Sequence, residues 1–122
     1  MPIIDIELVC EAESDSSVVT ARALAEALGQ VFGSPPGRAW VRLHLLASGA
    51  YAENGVTVEA SELPAFVTIL HSHPPSGAVL VAEAAAVTDA VAKCISRRPE
   101  RVHVQYAPAG AGRQAFGGRI VE

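Results

Sequence analysis

Residues 36–43 read Pro-Gly-Arg-Ala-Trp-Val-Arg-Leu, and residues 99–106 read Pro-Glu-Arg-Val-His-Val-Gln-Tyr. The two stretches lie 63 positions apart, share Pro, Arg and one Val, and alternate in the same phase. Each follows a helix-like segment. Each of those follows a strand-like segment opened by a proline, Pro2 in the first half and Pro64 in the second. A plan repeated at such an interval points to duplicated βαβ units, about 2–46 and 64–106, with a carboxy-terminal extension. The two strands of a unit run parallel, because a tight turn cannot join them, and the crossover is right-handed. Two units make an α+β fold, a four-stranded mixed sheet with two helices on one face.

The details agree with that plan. In β-like alternation Ile4, Ile6 and Leu8 oppose Ile3, Asp5 and Glu7, so one face of the first strand is buried. Residues 13–17, Glu-Ser-Asp-Ser-Ser, offer helix N-caps. A helix over 18–32 follows, with Leu24, Leu28, Val31 and Phe32 at helical spacing. Gly33 suits its C-cap, and Pro35 and Pro36 block continuation. After the strand at 38–46 come a turn at Asn54-Gly55 and a short strand over 56–59. The second half gives a strand at 64–73, a helix at 78–98 and a strand at 101–107. The apolar stripe of that helix runs through Leu80, Ala84, Val87, Val91, Cys94 and Ile95. The Gly-rich tail adds a hairpin or a short final strand.

Composition narrows the function. The chain has 122 residues, is half hydrophobic and only 18% charged, so a single packed domain spanning 1–122 is expected. A net charge of −4 with no Lys/Arg cluster argues against nucleic acid as a partner. Cys10 and Cys94 are far apart and read as reduced thiols, which points to the cytoplasm. Asp5 and Glu7 interrupt the first apolar run, and Glu83, Asp89 and Lys93 interrupt the second. Neither is a membrane span. The sheet face away from the helices needs cover, and oligomerisation supplies it.

Several of these stretches also resemble a known family. Met-Pro at the start, Phe-Gly-Ser-Pro-Pro-Gly-Arg-Ala-Trp-Val at 32–41, Leu-His-Ser at 70–72 and the 99–106 segment resemble the tautomerase superfamily. Its macrophage migration inhibitory factor and malonate semialdehyde decarboxylase branches are the nearest in layout. Residues 50–55 resemble the 4-oxalocrotonate tautomerase-like branch. The resemblance implies a homotrimer of βαββαβ subunits, with the sheets packed together inside the helices. It also implies pockets near the subunit interfaces, around the amino-terminal proline, and a small-molecule substrate without a cofactor.

In that setting Pro2 is the candidate catalytic residue. Removal of Met1 exposes a secondary amine, whose lone pair can take a proton. An α-amino group titrates not far above neutrality, and an apolar pocket disfavours its charged form. Such a group suits general-base removal of a proton next to a carbonyl. The expected substrate is a small 2-keto acid or its enol. The developing enolate and a substrate carboxylate need donors or cations. His73, His103, Arg38, Arg42 and Gln105 are the candidates, with Phe116 as an apolar wall. The resemblance places Arg38 where the decarboxylase branch has a water-handling acid, which weighs against hydratase, dehalogenase or decarboxylase chemistry. His71 and His73 invite a metal reading, but no suitably spaced Cys or carboxylate completes a site, so no metal is expected. A non-catalytic trimeric binding or scaffold protein is the alternative of a different class.

Overall fold

The computed structural model describes residues 1–11 and 19–122. Strand β1 (Ile3–Cys10) leads to helix α1 (Ala21–Phe32) and strand β2 (Trp40–Ala47). Strand β3 (Ala65–Leu70), helix α2 (Gly77–Ile95) and strand β4 (Val102–Tyr106) repeat the order. The sheet runs β2-β1-β3-β4, with parallel β1–β2 and β3–β4 pairs and an antiparallel β1–β3 seam. The tail folds into a small hairpin of β5 (Ala115–Phe116) and β6 (Arg119–Ile120).

Local chemistry sets the element ends. Helix α1 starts at Thr20, whose side-chain oxygen accepts the Ala23 N–H at 3.0 Å. The caps expected at 13–17 all fall within the stretch 12–18, outside the described residues. The helix stops at Gly33, in the left-handed region at φ 59°, which costs glycine nothing. Helix α2 ends two to three residues before its expected limit, at Ser96, also left-handed. No strand forms at 56–59. A single bridge from Glu53 to Val56 closes the Asn54-Gly55 turn, and the chain then leaves the sheet.

The core lies between the sheet and the two helices. Ile4, Ile6, Leu24, Leu28, Val67, Ile69, Val87 and Val91 are completely buried. Each contributes about 1.5–3 kcal/mol by leaving water. Leu28→Ala would leave a cavity between helix and sheet and cost about 2–5 kcal/mol. The opposite sheet face is mixed rather than apolar. Asp5 pairs with Arg42 across β1–β2, and the Gln105 amide donates to the Thr68 hydroxyl across β3–β4 at 2.9 Å. Beside them Trp40 and Phe66 remain 45% and 37% exposed. Alternation explains this: Asp5 and Glu7 of β1 and Arg42 and His44 of β2 alternate with apolar residues such as Ile4, Ile6 and Leu43, which pack on the helix side. No described helix is long and apolar enough to cross a membrane.

Candidate active site

Pro2 is buried at the head of β1, and its carbonyl accepts the Trp40 N–H at 3.1 Å. Ile3 pairs with Trp40 on one side and Leu70 on the other. One step further along the same register, Pro2 lies between Ala39 and His71. Met1 precedes it, so the Pro2 nitrogen is an amide while Met1 remains attached. The Met1 sulfur accepts the Ser72 hydroxyl at 3.0 Å. The tail crosses this end of the sheet. Gly110 N–H donates to the His71 carbonyl at 2.7 Å, and Ala111 N–H to the Ser72 carbonyl at 3.1 Å. Gly110 allows the approach: a Cβ there would stand 2.6 Å from the Met1 methyl carbon.

Beside Pro2 the structure gathers a polar group that sequence reasoning did not assemble. Glu83 Oε2 lies 2.9 Å from His71 Nε2 and accepts the Tyr106 hydroxyl at 2.7 Å. The His71 ring meets Phe32 edge-on at 5.4 Å and stacks on Tyr106 at 6.1 Å. Burial, then the hydrogen bond and the charge of Glu83, push the Tyr106 hydroxyl well above its ordinary range. With a carboxylate as partner, His71 donates from Nε2 and keeps Nδ1 as an acceptor when neutral. The signal was present in the sequence. Glu83 precedes the buried Val87 and Val91 at four-residue spacing, so it sits on the inward face of an apolar helix and needs a partner there.

The expected site residues fall into two groups. Arg38, His73 and Phe116 lie at the Pro2 end. Arg38 is exposed in the turn before β2, where its N–H bonds to the Pro35 carbonyl, and it forms no ion pair among the described residues. His73 is exposed just beyond β3, with Nε2 3.1 Å from the Glu122 carbonyl oxygen. Phe116 packs edge-on against Trp40 at 5.0 Å. An open cleft of about 370 Å³ reaches this end, lined by Gly29, Gln30, Ser34, Pro36 and Ala39.

Arg42, Gln105 and His103 stand on the outer sheet face instead. Arg42 is in register with Asp5 and bound to it, which raises its pKa through the hydrogen bond first and the charge second. His103 is in register with Phe66, itself opposite Glu7, and the two rings are 5.5 Å apart. Five steps of about 3.3 Å each along β1 separate Glu7 from Pro2. His103 is therefore too far along the sheet to meet the Pro2 of its own chain. It borders a second cleft of about 260 Å³ with Phe66 and Gln105.

That far end has its own charge cluster. Glu53 accepts from Tyr51 at 2.6 Å and from Arg101 at 2.5 Å, and these two contacts hold its carboxyl below the usual range. Arg101 also donates to the Glu62 carbonyl at 2.6 Å, and Arg98 binds the Glu62 carboxylate through two nitrogens. His71 and His73 engage separate partners, and no three metal-ligating side chains gather among the described residues.

No protein-family model matches the chain, and no curated protein matches it in sequence. Solved structures do match. A fused 4-OT in a wild-type symmetric trimer has a TM-score of 0.70 and 16% identity over 98% of this chain and 94% of that one. Macrophage migration inhibitory factor from Oncomelania hupensis has a TM-score of 0.71 and 15% identity over 98% and 97%. The chain shares the fold of these structures. Pt0534 inactivated by 2-oxo-3-pentynoate matches this fold at a TM-score of 0.74, with 17% identity over 97% and 94%. Within this fold, Pro2 occupies the head of the central β1 strand, where the tail, β3 and the start of β2 converge.

Proposed function

We propose that this chain is a cofactor-independent keto–enol tautomerase or isomerase of a small 2-keto acid or its enol, with Pro2 as general base. The observation that carries this is the buried Pro2 at the head of β1 in a tautomerase-superfamily fold, flanked by a hydrogen-bonded His71. Loss of Met1 turns its amide into a secondary amine. Burial favours the neutral amine, which takes a proton from the carbon next to the substrate carbonyl and returns it at the other end of the enol system. Arg38 and His73 receive the carboxylate or the developing enolate oxygen, and Phe116 walls the pocket. A match inactivated by 2-oxo-3-pentynoate, itself a 2-keto compound, supports this substrate class.

The two separated groups of candidate residues support a homotrimer. His103, Gln105 and Arg42 face outward at a distance from their own Pro2, so a neighbouring copy brings them to it. The fused 4-OT trimer is the precedent for that assembly. The two strand–helix–strand halves are read as a duplication forming one domain that works in the cytoplasm. A non-catalytic trimer is the second reading. It is favoured by the commitment of Arg42 to Asp5 and of Arg101 to Glu53, which leaves few cations for a substrate anion.

An enol–keto assay with phenylpyruvate or 2-hydroxymuconate, on Met1-free wild type and Pro2→Ala, separates the readings. A large loss in the variant supports Pro2 as base. Equal rates above solution in the two proteins count against Pro2 as base, and no rate above solution in either selects the non-catalytic reading. Light scattering of a trimer supports the shared site, and a stable monomer overturns it.

A further inference from the structure

We propose that Glu83 is a positioning residue for the amino-terminal base: its carboxylate, held by His71 and Tyr106, sets how tightly the Pro2 amine of the Met1-free chain keeps its proton. This deepens the reading of Pro2 as the base and rests on it. Burial alone loosens the proton on an amine, and a carboxylate nearby tightens it. The balance of the two places the amine near the working pH, where a general base is most effective.

Three observations carry the inference. First, Pro2 and His71 share a face. Ile4 stands opposite Ile69 and Ile3 opposite Leu70, so Pro2 falls opposite His71. Ile4 and Ile69 are completely buried on the helix side, and Pro2 and His71 each stand two residues from them on that side. Opposed residues of an antiparallel pair have Cβ atoms about 5 Å apart. Second, the carboxylate is close behind. Glu83 Oε2 lies 2.9 Å from His71 Nε2, which puts its charge about 10 Å from the Pro2 nitrogen. Third, no fixed cation answers that charge. Asp5, Glu53 and Glu62 each bind an arginine. Glu83 binds an imidazole and a phenol instead, and the His71 and Glu83 side chains are only 15% and 18% exposed.

A mostly buried carboxylate is a costly way to link a helix to a sheet. Both hydrogen bonds fall on the one oxygen Oε2, so the carbonyl of a glutamine could accept them without the charge. What the glutamate adds is the charge itself. Tyr106 keeps its proton, since burial and Glu83 both push its hydroxyl above the ordinary range. The other elements packed here bring no charge: Phe32 of α1 meets the imidazole edge-on, Gly110 of the tail bonds to the His71 carbonyl, and Ala39 flanks Pro2 on the β2 side. Arg38 and His73 stand at the same end of the sheet but are exposed, where water screens them. A second proton on His71 cancels the carboxylate, so the effect is greatest while the imidazole is neutral. A unit charge about 10 Å away, at an effective dielectric constant of about 20, moves a titration by about one pH unit.

The test is an NMR titration of the Pro2 amine in the Met1-free protein, verified by intact mass, beside the pH profile of kcat/KM for the phenylpyruvate enol–keto reaction. Glu83→Gln keeps the hydrogen-bonding shape and removes the charge. It lowers the amine midpoint by about one pH unit, and the acid limb of kcat/KM moves to lower pH with it. Tyr106→Phe takes a hydrogen bond from the same carboxylate and leaves the charge, so its midpoint stays at the wild-type value. A merely structural Glu83 gives another pattern: both variants lose thermal stability and neither moves the midpoint. His71→Gln keeps the carboxylate, so the midpoint stays at or above the wild-type value, a result that does not depend on Glu83→Gln folding. A Glu83→Gln midpoint equal to wild type overturns the proposal, as does a fall in His71→Gln. A failure of the Pro2 reading looks different: Pro2→Ala keeps the wild-type rate and the acid limb ignores the amine midpoint, while the NMR titration still reports on the Glu83 charge.

Discussion

Arg38 and Arg101 open corresponding strands of the two halves, yet they do opposite things. Arg101 is mostly buried, gripping the Glu53 carboxylate and the Glu62 carbonyl, so it locks the start of β4 to the loops after β2. Arg38 stands exposed before β2 without an ion pair among the described residues. The same residue at the same step of the same plan is structural at one end of the sheet and available at the other. What differs is the neighbourhood. The turn after β2 brings a carboxylate to Arg101, whereas the tail brings Gly110, a hairpin and Phe116 to the end where Arg38 sits.

The comparison can be broken or sharpened by substitution. The largest effect belongs to the available end: Pro2→Ala in the Met1-free protein lowers the enol–keto rate by about 10²-fold or more, the usual weight of a general base. A rate within twofold of wild type would remove the functional side of the contrast. Next, Arg101→Ala costs about 1–3 kcal/mol in urea denaturation, because Glu53 and the Glu62 carbonyl lose their donor. A value near zero would show that the locked end is not held by this arginine.

A smaller effect comes from the polar group beside Pro2. Tyr106→Phe costs about 1 kcal/mol, since Glu83 loses one of its two donors. It also changes the alkaline limb. Tyr106 holds its proton to higher pH when folded than when unfolded. The folded state therefore binds more protons above about pH 10, and stability is complete below that pH and falls as the pH rises through it. Tyr51, shifted the same way by burial and by Glu53, adds to the fall. Denaturation midpoints from pH 8 to 11 should decline less steeply in Tyr106→Phe than in wild type, and parallel declines would contradict the assignment. The smallest effect is on stability in Arg38→Ala, within about 0.5 kcal/mol, as for an unpaired surface residue. Its KM should still rise several-fold, and an unchanged KM would remove Arg38 from the pocket.

Much of the fold was legible in the sequence, and for definite reasons. Ile4, Ile6 and Leu8 alternate because one face of β1 is buried, and all three are buried. Gly33 and the prolines after it mark a helix end that backbone sterics require. The Gly-rich tail was readable as a hairpin or a short final strand, and it forms the hairpin. The strand expected at 56–59 was not there: alternating Val56 and Val58 join neither outer strand of the sheet, and only the Glu53–Val56 bridge forms. The site was legible only in part. Pro2 could be singled out by position, and Arg38, His73 and Phe116 do lie at its end of the sheet. Glu83 could have been flagged by its place on the inward stripe of α2, but its partners His71 and Tyr106 lie 12 and 23 residues away. Only the packing of α2 on β3 and β4 brings them together.

By itself, the sequence determined the β–α–β order of each half, the parallel pairing within it, the end of α1 at Gly33 and much of the buried set. These follow from local rules: side-chain period, capping, and the steric limits of Gly and Pro. The tertiary structure decided what each polar side chain does. It set Asp5 against Arg42 and Glu53 against Arg101, seated Met1 between Ser72 and Gly110, and left Arg38 exposed. Those outcomes depend on distances of a few ångströms between residues far apart in the chain, and no local pattern encodes such distances.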